Sequence, residues 1–188
     1  MSAIKVLVVD DSITMRALFS SALERSSDLV VIGAAANADE AREMIADMRP
    51  DVVTLDIEMP GMNGIDFLEE IMTTKPMPIV MLSTLTQKGA EVTLKALELG
   101  AVDCFPKPTK ATPDEFAKIS GKLCKLVATA AKSKVKKYDP EAAAAAAAKA
   151  AEAQATLNTA KPYKWNGSIV ALCASTGGGP AVMELLSN

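Results

Sequence analysis

The chain has 188 residues, 49% of them hydrophobic, which is enough for one domain of ordinary size and something beyond it. The net charge of −3 hides an asymmetry: residues 1–117 carry 10 Lys/Arg against 19 Asp/Glu, and residues 118–188 carry 10 against 4. Neither balance points to nucleic acid. Three scattered cysteines without any histidine argue against a zinc site and against histidine-based chemistry within these residues.

Ile4–Val9 is a continuous apolar run, as a strand buried on both faces requires. Met15, Leu18, Phe19 and Ala22 then recur at helical spacing. Leu29–Ile32 is the second predicted strand, closed by Gly33. Asn37 and Glu40 form a capping box for a helix whose apolar face is Ala41, Met44, Ile45 and Met48, stopping at Pro50. Val52–Leu55 is the third strand, followed by the turn 60–64 (PGMNG) and a helix over Ile65–Met72. Ile79–Leu82 is the fourth, with a helix through Val92–Leu99 that Gly100 ends. Val102–Phe105 is the fifth. Thr112, Pro113 and Glu115 start the last helix, whose buried stripe is Phe116, Ile119, Leu123 and Val127.

Five strand–helix units in series predict an α/β fold: a doubly wound, five-stranded parallel sheet over residues 1–131. After Ala131 come four closely spaced lysines and an alanine-rich stretch, which predict a partly helical linker over 132–167. Residues 168–188 resume with an apolar run, a glycine-rich turn and a helix start, the opening of an incomplete second α/β domain. No apolar run approaches the ~18 residues of a membrane span. The amino terminus lacks a signal-peptide layout, and sparse cysteines suit a reducing, cytoplasmic setting.

The chemistry is expected where the strands end, because ligands of such sheets bind outside the carboxyl edge. The first run leads into Asp10 and Asp11, the third into Asp56, the fourth into Ser83 and the fifth into Lys107. Asp10, Asp11 and Asp56, with a backbone carbonyl at Glu58, suit the hard-oxygen, octahedral demands of Mg2+. Asp56 is a plausible nucleophile towards a phosphoryl group, with Lys107 offsetting charge and Ser83 donating a hydrogen bond. Taken singly, each residue has a plainer reading: an Asp pair after a strand commonly caps the next helix, and Lys107-Pro108 commonly marks a surface turn. Their conjunction at four strand ends favours the site.

Residues 7–12 (LVVDDS), 51–61 (DVVTLDIEMPG), 62–65 (MNGI) and Lys107-Pro108 resemble the receiver domain of two-component response regulators across roughly residues 3–128. The resemblance implies a flavodoxin-like fold, Mg2+, and phosphorylation of Asp56 by a partner histidine kinase. It also implies a phosphate-sensing hydroxyl at Ser83 and an aromatic residue three positions before Lys107, where this chain has Cys104 with Phe105 beside it. Residues 81–86 (MLSTLT), 90–101 (AEVTLKALELGA) and 168–178 (SIVALCASTGG) are similar to the chemotaxis protein-glutamate methylesterases. That resemblance implies control of receptor-glutamate methylesterase and glutamine deamidase activity, with chemoreceptors as targets. It makes Ser175 the nucleophile, although the histidine and aspartate that would complete its triad are not among these residues. Without them the chain is expected to be inactive as an esterase, and a stand-alone phospho-switch binding module is the alternative reading.

Overall fold

The computed structural model describes residues 3–84, 87–146, 148 and 149. The chain divides into a unit ending at Ala143 and a second beginning at Ala144, of which only the helical residues 144–146, 148 and 149 are described.

The first unit alternates strand and helix throughout: β1 (Ile4–Val9), α1 (Ile13–Leu23), β2 (Leu29–Ala35), α2 (Ala38–Met48), β3 (Val52–Asp56), α3 (Gly64–Thr74), β4 (Ile79–Ser83), α4 (Gln87–Glu98), β5 (Asp103–Pro106) and α5 (Pro113–Ala130). All pairings are parallel, in the order β2-β1-β3-β4-β5. Strand order reverses between β1 and β3, which places the expected crevice at their carboxyl ends.

Side chains alternate across each strand, so each has two apolar faces to bury. Leu7, Val9, Val53, Leu55, Ile79 and Met81 pack under α2, α3 and α4. Val6, Val8, Val52, Val80 and Leu82 pack under α1 and α5. Phe19 of α1 meets Phe116 of α5 edge-on, with ring centroids 4.8 Å apart. Asn37 and Thr112 cap α2 and α5 through their side chains, as the sequence indicates.

Two features depart from expectation. Gly33 does not close β2. It lies inside the strand, where Val6 pairs with Val31 and Leu7 with Gly33, leaving Ile32 as an inserted residue. A side chain there would press on Met44, Met48 and Leu7, so the glycine lets α2 sit close on the sheet. The stretch expected to begin a linker is docked over its first residues. After α5, Val135 and Tyr138 pack against the cluster under α2, α3 and α4, and the Tyr138 amide donates to Met72 O of α3 at 2.9 Å. Helix resumes at Pro140, with Asp139 Oδ1 accepting from the amides of Glu141 and Ala142.

Candidate phosphoryl and metal site

β1 ends on Asp10, which is fully buried. Its Oδ1 accepts from the Ser12 amide at 2.9 Å, and its Oδ2 accepts from Lys107 Nζ at 2.8 Å. Ser12, not either aspartate, caps α1, accepting from the Met15 amide. The capping alternative for the Asp pair is therefore set aside: Asp10 turns its oxygens to the Ser12 amide and to Lys107 instead. Asp11 follows with an exposed side chain.

β3 ends on Asp56, 2% exposed. Its Oδ1 accepts from the Glu58 amide at 3.3 Å and its Oδ2 from Lys107 Nζ at 2.6 Å. Glu58 lies on the exposed loop beyond. Lys107 leaves the end of β5, where its amide donates to Ser83 O at 2.7 Å, tying β5 to β4. Ser83 closes β4 and is buried.

Asp10, Asp11 and Asp56 each bring a carboxylate oxygen within 4.8 Å of the others. Together with Lys107 they leave two negative charges uncompensated in a partly buried crevice. Burial pushes the Asp56 carboxyl above its ordinary range, and the Lys107 ammonium opposes this without cancelling it. Burial lowers the affinity of Lys107 for its proton, but its bonds to Asp10 and Asp56 outweigh that and hold it protonated. Three hard oxygen donors with surplus negative charge fit a divalent cation such as Mg2+.

Other features escape a reading of strand ends. A Cβ at Gly64 would stand 1.9 Å from the Asp56 carbonyl oxygen, so the start of α3 lies directly against the Asp56 main chain. Asn63 caps that helix, accepting from the amides of Ile65 and Asp66. Arg16, in the second turn of α1, donates from Nη1 to Asp10 O at 2.8 Å and Asp11 O at 3.0 Å. The sequence signals for Gly64 and Asn63 lay in the glycine-rich turn. Arg16 carries none, because its role depends on how the loop folds back.

Phe105 is buried with the α1 and α5 side chains. Cys104 faces the α4 side, its Sγ 4.0 Å from Thr93 O. The position three before Lys107 thus presents a thiol to α4, and the neighbouring aromatic points to the opposite layer. Ser175 lies outside the described residues. No helix among the described residues is long and apolar enough to cross a membrane.

Residues 6–117 match the response regulator receiver domain family. Over 187 residues the chain is 51% identical to a protein-glutamate methylesterase/protein-glutamine glutaminase of Caulobacter vibrioides, covering 99% of this chain and 51% of that protein. The chain therefore spans about half the length of the curated relatives it matches. The response regulator domain of Thermotoga maritima CheB superposes with a TM-score of 0.64 at 38% identity, covering 71% of this chain and 99% of that domain. The receiver domain of NtrX from Brucella abortus gives a TM-score of 0.51 at 32% identity, covering 64% of this chain and 98% of that domain. The parallel five-stranded sheet, the acidic trio at its switch point and these similarities agree: the chain belongs to the response regulator receiver family, in the branch that includes the receivers of protein-glutamate methylesterases.

Proposed function

We propose that this receiver is the phosphorylation-controlled input of a chemotaxis protein-glutamate methylesterase and glutamine deamidase, with Asp56 as phosphoacceptor. The observation that carries the reading is the placement of Asp56 at the carboxyl edge of β3, bonded to Lys107 and within 4.8 Å of two further carboxylates. An Asp56 carboxylate oxygen attacks the phosphorus of a phosphohistidine on a histidine kinase. The P–N bond breaks, the imidazole leaves with a proton, and an aspartyl phosphate forms. Asp10, Asp11, Asp56 and the Glu58 carbonyl would hold Mg2+, which when bound would neutralise charge on the phosphoryl oxygens. Lys107, bonded to Asp10 and Asp56, contributes a second positive charge, and Ser83 offers a hydroxyl at the neighbouring strand end.

The test is incubation with Mg2+ and a small phosphoryl donor such as acetyl phosphate. Intact mass should rise by one phosphoryl group, and hydroxylamine should remove it. Asp56→Asn should gain none. Undiminished gain in that variant, or none in the parent chain, would defeat the assignment. The control of a methylesterase is tested in a protein carrying the whole catalytic domain, where the same donor should raise methanol release from methylated chemoreceptors. The chain of 188 residues should release none.

A further inference from the structure

Asp11 is the exposed member of the acidic trio, and among the described residues nothing donates a hydrogen bond to its carboxylate. Its side chain is therefore not what fixes its direction. The main chain is: the peptide planes on either side of the Asp11 Cα both end in a carbonyl bonded to one nitrogen, Arg16 Nη1, at 2.8 Å to Asp10 O and 3.0 Å to Asp11 O. Pinning both planes restricts the Asp11 backbone dihedrals, and these set where its Cα–Cβ bond points. Arg16 is half-buried, and the guanidinium reaches back past the cap of its own helix. A cation near a helix amino terminus opposes the helix dipole, and one near a metal repels it. Its location is thus unfavourable on charge alone and is explained by the two bonds it makes.

We infer that Arg16 is a positioning residue for the cation site, holding the turn between β1 and α1 so that the Asp11 carboxylate meets those of Asp10 and Asp56. The inference rests on the proposed reading of that trio as a Mg2+ site. Charge and positioning predict opposite signs. Removing a nearby cation, by itself, tightens Mg2+ binding. Releasing the turn weakens it, because Asp11 then has to be ordered as the ion binds.

The experiment is titration calorimetry of the full chain with Mg2+ alone, with unfolding midpoints recorded in its absence. Arg16→Met should weaken Mg2+ about tenfold, the scale seen when groups that orient metal ligands are removed. Its metal-free midpoint should stay close to that of the parent chain. Arg16→Lys keeps the charge, but its nitrogen is one bond nearer the Cα than Nη1 and falls short of the two carbonyls, so binding should be weakened several-fold. In an Asp11→Asn background the Arg16→Met change should add nothing, since the carboxylate it orients is gone. Equal or tighter binding in folded Arg16→Met or Arg16→Lys, or an undiminished effect of Arg16→Met without the Asp11 carboxylate, overturns the inference and leaves the Mg2+ reading standing. Failure of the parent chain to bind Mg2+ overturns both.

Discussion

Lys107 Nζ lies 2.6 Å from Asp56 Oδ2 and 2.8 Å from Asp10 Oδ2, so one ammonium separates two buried carboxylates. Removing it leaves both uncompensated. Lys107→Met should cost about 3 kcal/mol of metal-free stability, the lower end for breaking a buried pair from one side. Mg2+ should restore part of that loss, because it supplies the missing positive charge. Urea unfolding with and without Mg2+ reads both quantities. A metal-free loss well under 1 kcal/mol would mean that water screens the carboxylates more than their burial indicates.

The raised Asp56 carboxyl gives a pH dependence of definite sign. Because its folded value exceeds its unfolded one, the stabilising contribution is fully present below the ordinary carboxylate value of 3.8 and is lost as pH rises through the raised value. Lys107 is also raised, but its contribution is intact below the ordinary ammonium value of 10.5 and is lost only above it. In metal-free solution, Asp56→Asn should therefore gain stability over the parent chain as pH climbs from about 4 towards neutrality. Mg2+ should shrink the gap, since it favours the ionised carboxylate. Parallel curves for the two proteins in metal-free solution would contradict the burial of Asp56.

Thr54, two residues before Asp56 in β3, is fully buried, and its Oγ1 has no hydrogen-bond partner among the described residues. Thr54→Val exchanges that hydroxyl for a methyl of similar size. It should stabilise the domain by about 1 kcal/mol, the low end for an unsatisfied buried hydroxyl. Phosphoryl uptake on Asp56 should be unchanged. A destabilised variant would show that the hydroxyl is satisfied in solution, by an ordered water for example.

The docked connector predicts a specific pattern of proteolysis. Lys132, Lys134, Lys136 and Lys137 are all candidate tryptic sites, yet they sit in a segment anchored by Val135, Tyr138 and the bond to Met72 O. Trypsin should cut there slowly in the parent chain. Tyr138→Ala should speed cutting at these lysines while leaving the global urea midpoint nearly unchanged. Rapid cutting in the parent chain would show that the anchor does not hold.

The fold was legible because its strands are buried on both faces and so appear as unbroken apolar runs, while Asn37 and Thr112 announce their helices chemically. The acidic trio and Lys107 were legible for the same reason: each directly follows a run. Gly33 misled because a glycine at a strand end and one at a bulge look alike in sequence; the difference lies in Met44 and Met48, which arrive from α2. The anchoring of Tyr138 was hidden among lysines, since a half-buried tyrosine and valine in a charged segment have no period to betray them. Arg16 acts on main-chain atoms of other residues, and such contacts leave no composition signal.

The connector has a geometric consequence. α3 runs back against the strands, so Met72 and the Tyr138 it holds lie towards the amino-terminal edge of the sheet, while Asp56 lies at the carboxyl edge. A strand of five residues spans roughly 17 Å. The Tyr138 anchor and the mouth of the crevice thus stand at opposite edges of the sheet. A bulky phosphoryl donor can approach Asp56 without meeting the segment anchored at Tyr138.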